Sequence, residues 1–436
     1  MTGEARAADN PWRSVIACNI GVGLEGLDFI AYSAFSVIIA RLYFPADSAL
    51  AATLLTFGGF ATAYLVRPLG GLFWGVFADR RGRKGALAWT AILMALGTFL
   101  IAIAPPYAAI GVAAPVMILI ARMIQGFAVS GEFASATAML VELARPGRKA
   151  FFASTQMATQ AGTAAVASGL VLILYWALPA EAVESWGWRL VFGAGTLIGP
   201  VGLYIRARMA ESPEFAALRE GHAIARAPLR QAFARYPREL LCMAGLIVIS
   251  SAALYLILIF LPLYAVRELG VSQTHAYVST VVAASAEAAI ILFAGRLADR
   301  LGAVELLAPA CVVYALAAWP LFAHLVAQPS FATLLGVQLA AAALLGWMSG
   351  PLPAVLSSLL PTEVRTTGLG LVYNSIGAVF GGLGPLIITA LVAATGDRAA
   401  PAWWAAGTGA VGAAAAFALW SQRAHLHRER FGGAAQ

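Results

Sequence analysis

Long apolar stretches alternate along this chain with short breaks of charge, glycine or proline, at 14–40, 50–77, 86–106, 112–142, 151–176 and 190–208, and again at 239–265, 274–295, 304–325, 331–359, 366–394 and 402–421. A hydrocarbon core of about 30 Å is crossed by about 20 apolar residues in helical form. The pattern therefore predicts twelve membrane-spanning helices, six on each side of a polar stretch at 209–237.

The break between the second and third stretches holds four cations in ten residues, Gly75 to Lys84, and reads as a tight aqueous turn. Its spacing Gly-x-x-x-Asp-Arg-x-Gly, carried by Gly75, Asp79, Arg80 and Gly82, returns as Gly295, Asp299, Arg300 and Gly302, in the same place relative to its own flanking stretches. A repeat at that offset in 436 residues makes the chain two similar halves, a common build for membrane transporters. The expected division is a bundle of six helices over 1–208, a linker over 209–237 and a second bundle over 238–436. The linker, with Glu211, Pro213, Glu214, Arg219, Glu220, Arg226, Pro228, Arg230, Arg235 and Pro237, is too short to bury a core and is expected as surface helix.

Composition agrees with this and narrows it. The chain is 61% hydrophobic and 11% charged, with a mean hydropathy of +0.81, whereas about 25% charge is usual in soluble domains. The net charge of +7 follows from topology rather than from nucleic-acid binding. Of the 28 lysines and arginines, 22 fall in the termini and alternate turns, and only Arg41, Arg189, Arg267 and Arg398 fall in the others. Cations are retained on the cytoplasmic side during insertion, so both termini are expected there. No cleavage site follows the polar Met1 to Arg13, and a retained first span is expected. Cys18, Cys242 and Cys311 are far apart in apolar stretches and predict neither metal site nor disulfide. Glycines cluster within spans, as at Gly58, Gly59, Gly70, Gly71, Gly381 and Gly382, where small residues let helices approach closely.

Ionisable groups inside spans are costly and mark function by default. Glu25 and Asp28 are three apart on one face of the first span. Two carboxylates so close do not both ionise readily in a low dielectric, as a proton-coupling pair requires; the bland alternative is a carboxyl that accepts a hydrogen bond from a neighbouring helix. The fourth span carries Arg122, Gln125 and Glu132. Arg122 is too deep to reach either surface and needs an internal anion, supplied by the protein, the substrate, or each in turn. Glu132 lies about 15 Å further along that helix, so a first-span carboxylate is the better partner for Arg122. Arg67, in the second span, is expected to reach toward the surface in a structural role. Glu287 sits centrally in the eighth span and either carries a proton or only donates a hydrogen bond. Tyr255, Tyr264, Tyr373 and Asn374 are polar groups of the second half, the tyrosines suited equally to interfacial anchoring and to ligand contact.

Taken together, these residues resemble the major facilitator superfamily and, within it, the metabolite:proton symporters. The superfamily's turn signature is complete in Gly75, Asp79, Arg80, Gly82, Arg83 and Lys84. The subfamily resemblance covers nearly the whole chain. It runs through Asp28 and Phe29, Arg67 to Gly71, Arg122 with Gln125 and Gly126, Gly131 and Glu132, and Trp186 to Arg189. It continues through Arg206, Glu211 and Phe215, then Arg365, Gly368, Tyr373, Asn374, Phe380 to Gly382 and Pro385. Glu25 beside Asp28, with Thr395 to Asp397 and Trp403 and Trp404, looks most like the citrate and tricarboxylate members. Three departures stand out: the second turn lacks the basic pair, reading Ala303 and Val304, so its latch is expected to be weaker; Gly26 and Leu27 replace an aromatic pair; and Glu287 stands where such relatives often carry Asn.

The resemblance implies an all-α integral membrane protein of two pseudo-symmetric six-helix bundles, acting by alternating access in a bacterial inner membrane. Arg122, Gln125, Tyr373 and Asn374 are then expected to bind substrate, and Glu25, Asp28, Glu132 and Glu287 to couple protons. Asp79 is expected to cap or pair with the second half near span eleven, and the turn's arginines to pair with acids such as Glu142, as a latch for the outward-facing state. The expected partners are a small organic anion, a proton and the bilayer, with no cofactor and no nucleic acid, in a chain functional as a monomer. A zwitterion such as proline or betaine, or an aromatic acid such as shikimate, is the alternative substrate. No paired His, HExxH, nucleophile elbow or phosphate-binding loop supports an enzyme, and no output domain is long enough for a sensor.

Overall fold

The computed structural model describes residues 11–44, 49–207, 211–220 and 227–432. Among them, twelve long helices follow the apolar stretches: α1 Pro11–Ala34, α2 Ala49–Arg81, α3 Arg83–Ile103, α4 Ala113–Leu143, α5 Lys149–Ala177 and α6 Arg189–Ala207, then α7 Pro237–Glu268, α8 Gln273–Leu301, α9 Ala303–Ala327, α10 Phe331–Ser358, α11 Arg365–Thr395 and α12 Ala400–Gly432. Ten of them are long and apolar enough to cross a membrane. The polar stretch forms two short helices, Pro213–Glu220 and Pro228–Arg235.

Two boundaries differ from expectation in an informative way. The first apolar stretch is broken at Phe35, after which a separate helix runs from Ser36 to Tyr43. The turn between α2 and α3 shrinks to the single residue Gly82, because α2 carries its arginines outward in helical form as far as Arg81. Gly82 takes φ +106° and its counterpart Gly302 φ +101°, a region that side chains other than glycine avoid. Both halves thus reverse direction by the same device.

Two helices widen in mid-course. The turns at Tyr255–Phe260 in α7 and Gly377–Gly382 in α11 each hold an extra residue. Each precedes a proline, Pro262 or Pro385, whose missing N–H leaves the carbonyl four residues back, Leu258 or Gly381, without its regular donor. Gly381 and Gly382 there leave room for two rings: a Cβ on either would lie within 3 Å of Tyr255 or Tyr64.

Candidate functional site

Asp28 of α1 and Arg122 of α4 form an ion pair of 2.9 Å in the core of the first bundle. Thr98 of α3 donates to Asp28 Oδ1 at 3.0 Å and Gln125 Nε2 donates to the same oxygen at 2.8 Å, while Arg122 also donates to Gln125 Oε1 at 2.9 Å. Asp28, Arg122 and Gln125 are buried. An ion pair taken out of water is tolerated only with such added hydrogen bonds. The first-span partner expected for Arg122 is therefore Asp28; the side chain of Glu25 lies outside the described residues.

Aromatic rings extend this cluster. The Arg122 guanidinium lies 4.2 Å from the Tyr32 ring and 4.4 Å from that of Phe29. A second cation on Phe29 is Arg67, at 4.7 Å, and Arg67 also lies 4.2 Å from the Tyr64 ring. Arg67 is 3% exposed, so it does not reach toward the surface as expected: ring faces hold it inside. Tyr64 in turn hydrogen-bonds Tyr255 of α7, hydroxyl to hydroxyl, across the two bundles. Tyr255 is thus an inter-bundle contact and not an interfacial anchor. Tyr264 does act near a helix end, donating to the carbonyl of Arg398.

The other expected site residues are dispersed. Glu132 accepts from Thr90 at 2.9 Å, in a cluster separate from Asp28. Asn374 donates to the carbonyls of Ser130 at 2.7 Å and Gly370 at 2.6 Å, and Tyr373 stacks on Phe133 at 3.7 Å. Both therefore seal α11 against α4, away from the cavity described below. Glu287 is 1% exposed, its Oε2 without a hydrogen-bond partner among the described residues, where α8 packs on Gly346 of α10.

At the turn, the two halves lock by matching caps. Asp79 accepts from the backbone N–H groups of Thr366 at 3.3 Å and Thr367 at 2.7 Å, at the start of α11. Asp299 accepts from those of Ala150 at 2.8 Å and Phe151 at 3.0 Å, at the start of α5. A carboxylate at a helix N-terminus satisfies orphan donors and meets the positive end of the helix dipole. Gly75 permits the approach, since a Cβ there would stand 2.8 Å from Thr367 Cα. Around Asp79 an ionic network is added: Arg83 lies 3.5 Å from both Asp79 and Glu142, and Arg365 reaches Glu142 at 2.8 Å and Glu214 at 3.1 Å. Around Asp299 the nearby positive charge is that of Arg148, and Arg296 lies over the Phe151 ring at 5.2 Å. The second cap matches the first in hydrogen bonds and differs in charge.

Within the turn the cations divide. Arg83 enters the network, Arg80 lies exposed on the rim, and Lys84 offers its backbone N–H to Glu211 at 3.4 Å, beside that of Arg83 at 3.1 Å. Glu211 and Glu214 thereby tie the linker to the latch. Burial acts most strongly on Glu214 and raises its pKa, but hydrogen bonds from Thr362 and Arg365 and the charges of Arg365 and Lys149 outweigh it and hold the carboxyl below its ordinary range.

A cavity lies toward the opposite ends of the helices. One lobe, of about 320 Å³, is lined by Tyr32 and Ser33 of α1, Phe260, Tyr264, Arg267 and Glu268 of α7, and Thr389 of α11, among others. A second, of about 280 Å³, shares Ser33, Ser36 and Arg267 and adds Tyr175, Glu184 and Gln273. Tyr32 forms a wall between the first lobe and Arg122, which the lining does not include. Sequence reasoning missed Thr98, Tyr32 and Tyr64; only Tyr32 carried a signal, four residues after Asp28 on the same helix face.

The sequence profile of the Major Facilitator Superfamily matches residues 22–385 and, a second time, residues 243–435. The citrate-proton symporter of Klebsiella pneumoniae is 34% identical over 394 residues, covering 90% of this chain and 88% of that protein. The proline/betaine transporter of Salmonella typhimurium is 26% identical over 404 residues, covering 90% and 80%. The fold is similar to that of the proton:xylose symporter XylE bound to 6-bromo-6-deoxy-D-glucose, with a TM-score of 0.77 at 17% identity over 94% of this chain and 95% of that one. With both halves of its helical framework matched and its length covered, this chain belongs to the Major Facilitator Superfamily of membrane transporters, in the metabolite:proton symporter family.

Proposed function

We propose that this protein is a proton-coupled symporter of organic carboxylates, citrate or another di- or tricarboxylate, in a bacterial inner membrane. The bundles at 1–208 and 238–436 rock about the linker at 209–237, with the latched face and both termini cytoplasmic. The bias of lysine and arginine supports that orientation, and the cavity then opens outward while the latch is closed. One chain carries both the latch and the cavity, so the monomer is the working unit.

The observation that carries this reading is the Asp28–Arg122 pair, buried and only one ring away from the cavity. In this state Asp28 occupies Arg122. A proton reaching Asp28 removes that claim, while Thr98 and Gln125 still hold the neutral acid. Arg122, a planar cation suited to two parallel hydrogen bonds, then accepts a substrate carboxylate once Tyr32 moves aside. Proton and substrate thus replace one another's charge, and the loaded carrier crosses the low dielectric without a stranded ion. Gln125 positions both. Tyr373 and Asn374 close the bundles below the site, and Arg83, Glu142 and Arg365 with Asp79 hold that closure until the site is loaded.

A second reading, a zwitterion such as betaine, draws support from the cavity itself, where Arg267 and Glu268 stand beside the rings of Tyr32, Phe260 and Tyr264. Uptake into proteoliposomes under an imposed pH gradient, with citrate and glycine betaine as alternative substrates, separates the two. For the preferred reading, citrate accumulates in the wild type. Asp28→Asn retains exchange of internal for external citrate but no longer concentrates it. Concentration against a gradient by Asp28→Asn removes Asp28 from the proton step.

A further inference from the structure

Arg267 lines both lobes of the cavity. Two other arginines of that face are committed. Arg41 pairs with Glu184 at 2.7 Å, and Arg189 donates to Tyr43 at 2.9 Å and to the carbonyls of Ala104 at 3.1 Å and Ser185 at 2.8 Å. Arg267, in contrast, makes no hydrogen bond, ion pair or ring contact with any described residue. Its surroundings in the larger lobe are mostly apolar or aromatic, with Ile259, Phe260 and Leu263, the polar exceptions being the hydroxyls of Ser33, Ser36 and Thr389, and Glu268 is the acid in that lining. A cation at the mouth of a cleft with low-dielectric walls concentrates anions there. One without a prior partner accepts a carboxylate with no ion pair to break.

We propose that Arg267 is a first station for the substrate's carboxylate, occupied before the substrate passes Tyr32 to Arg122, and that Glu268 beside it sets which second group is admitted. This rests on the carboxylate-transport reading. A guanidinium receives a carboxylate in two parallel hydrogen bonds. Glu268 then repels a second carboxylate and attracts an ammonium group. The two residues together grade substrates by their second charge, in the outer cavity and before any proton moves. Arg267 serves di- and tricarboxylates and betaines alike, and Glu268 distinguishes them.

The test uses the full chain in proteoliposomes, with citrate and glycine betaine as probes, and reads KM and maximal rate separately. Arg267→Gln is expected to raise KM about threefold to tenfold for whichever probe is carried, the size of a partly screened charge contact. Maximal rate stays the same, Arg267→Lys retains most of the affinity, and high salt erases the difference. Glu268→Gln is expected to lower KM for citrate or raise it for betaine. Arg267→Cys keeps the test open should the glutamine variant misfold: after reconstitution, a cationic thiosulfonate restores affinity and an anionic one lowers it, with Cys18, Cys242 and Cys311 buried and protected. An unchanged KM in Arg267→Gln, or a fall in maximal rate alone, overturns the station while wild-type uptake stands. A wild type that carries neither probe overturns the functional reading and the station with it.

Discussion

Asp28 and Arg122, 94 positions apart in sequence, meet at 2.9 Å with neither side chain accessible to solvent. Removing one member leaves an uncompensated charge in a low dielectric, a loss on the order of 3–5 kcal/mol. Arg122→Gln is therefore expected to lower thermal stability strongly in detergent. Adding Asp28→Asn to it should recover most of the loss. A double variant no more stable than Arg122→Gln would show that charge pairing is not what the site depends on.

The latch makes a prediction about access rather than stability. Asp79→Ala forfeits a cap worth about 1 kcal/mol, and also takes one of two carboxylates from Arg83 and uncaps the start of α11. Membrane-impermeant reagents applied from the latched face should then label a cysteine placed at Ala134, which is 1% exposed beside Gly370. Gly75→Val should do the same with every capping residue unchanged, since its side chain cannot fit against Thr367. Asp299→Ala removes the cap but no ionic network, and is expected to increase labelling less than Asp79→Ala does.

Glu214 predicts a pH dependence with a definite sign. Its carboxyl in the folded protein ionises below the ordinary value of 4.5. Its contribution is therefore complete above that ordinary value and fades as pH falls through the lowered one. Thermal stability of the wild type should drop more steeply on acidification below about pH 4.5 than that of Glu214→Gln, and the two curves should converge at the acid end. Parallel curves would remove Glu214 from the acid-sensitive part of the latch.

The Phe29 ring meets two guanidinium groups, Arg122 at 4.4 Å and Arg67 at 4.7 Å. Each contact is worth about 0.5–2 kcal/mol. Phe29→Leu, which keeps bulk but loses the ring face, should destabilise the protein by about 1–3 kcal/mol, and Phe29→Tyr by much less. Equal melting temperatures for the leucine variant and the wild type would mean that the rings only fill space.

Much of the framework was legible from the chain alone. The spans followed from apolar length, and the repeated turn identified Asp79 and Asp299 as equivalent before their matching caps were seen. The latch roles of Asp79 and Glu142 come from the resemblance to the superfamily, and the pairing of acids and bases at helix ends agrees with them. Arg122 was paired with the first span by depth alone. Tyr373 and Asn374 were another matter: a polar group on a second-half span reads the same whether it faces a cavity or the opposite bundle.

The sequence by itself determined the number and order of the helices, the twofold repetition and the short list of charges held in an apolar medium, because a bilayer penalises every polar group and so forces these features into composition and spacing. Only the tertiary structure decided the partners. Asp28 reaching Arg122, Arg67 turned onto rings, Tyr64 meeting Tyr255 and Arg267 left facing an open cavity all depend on how helices from distant parts of the chain rotate and cross. Close packing of small residues sets those rotations, and hydropathy carries no record of them.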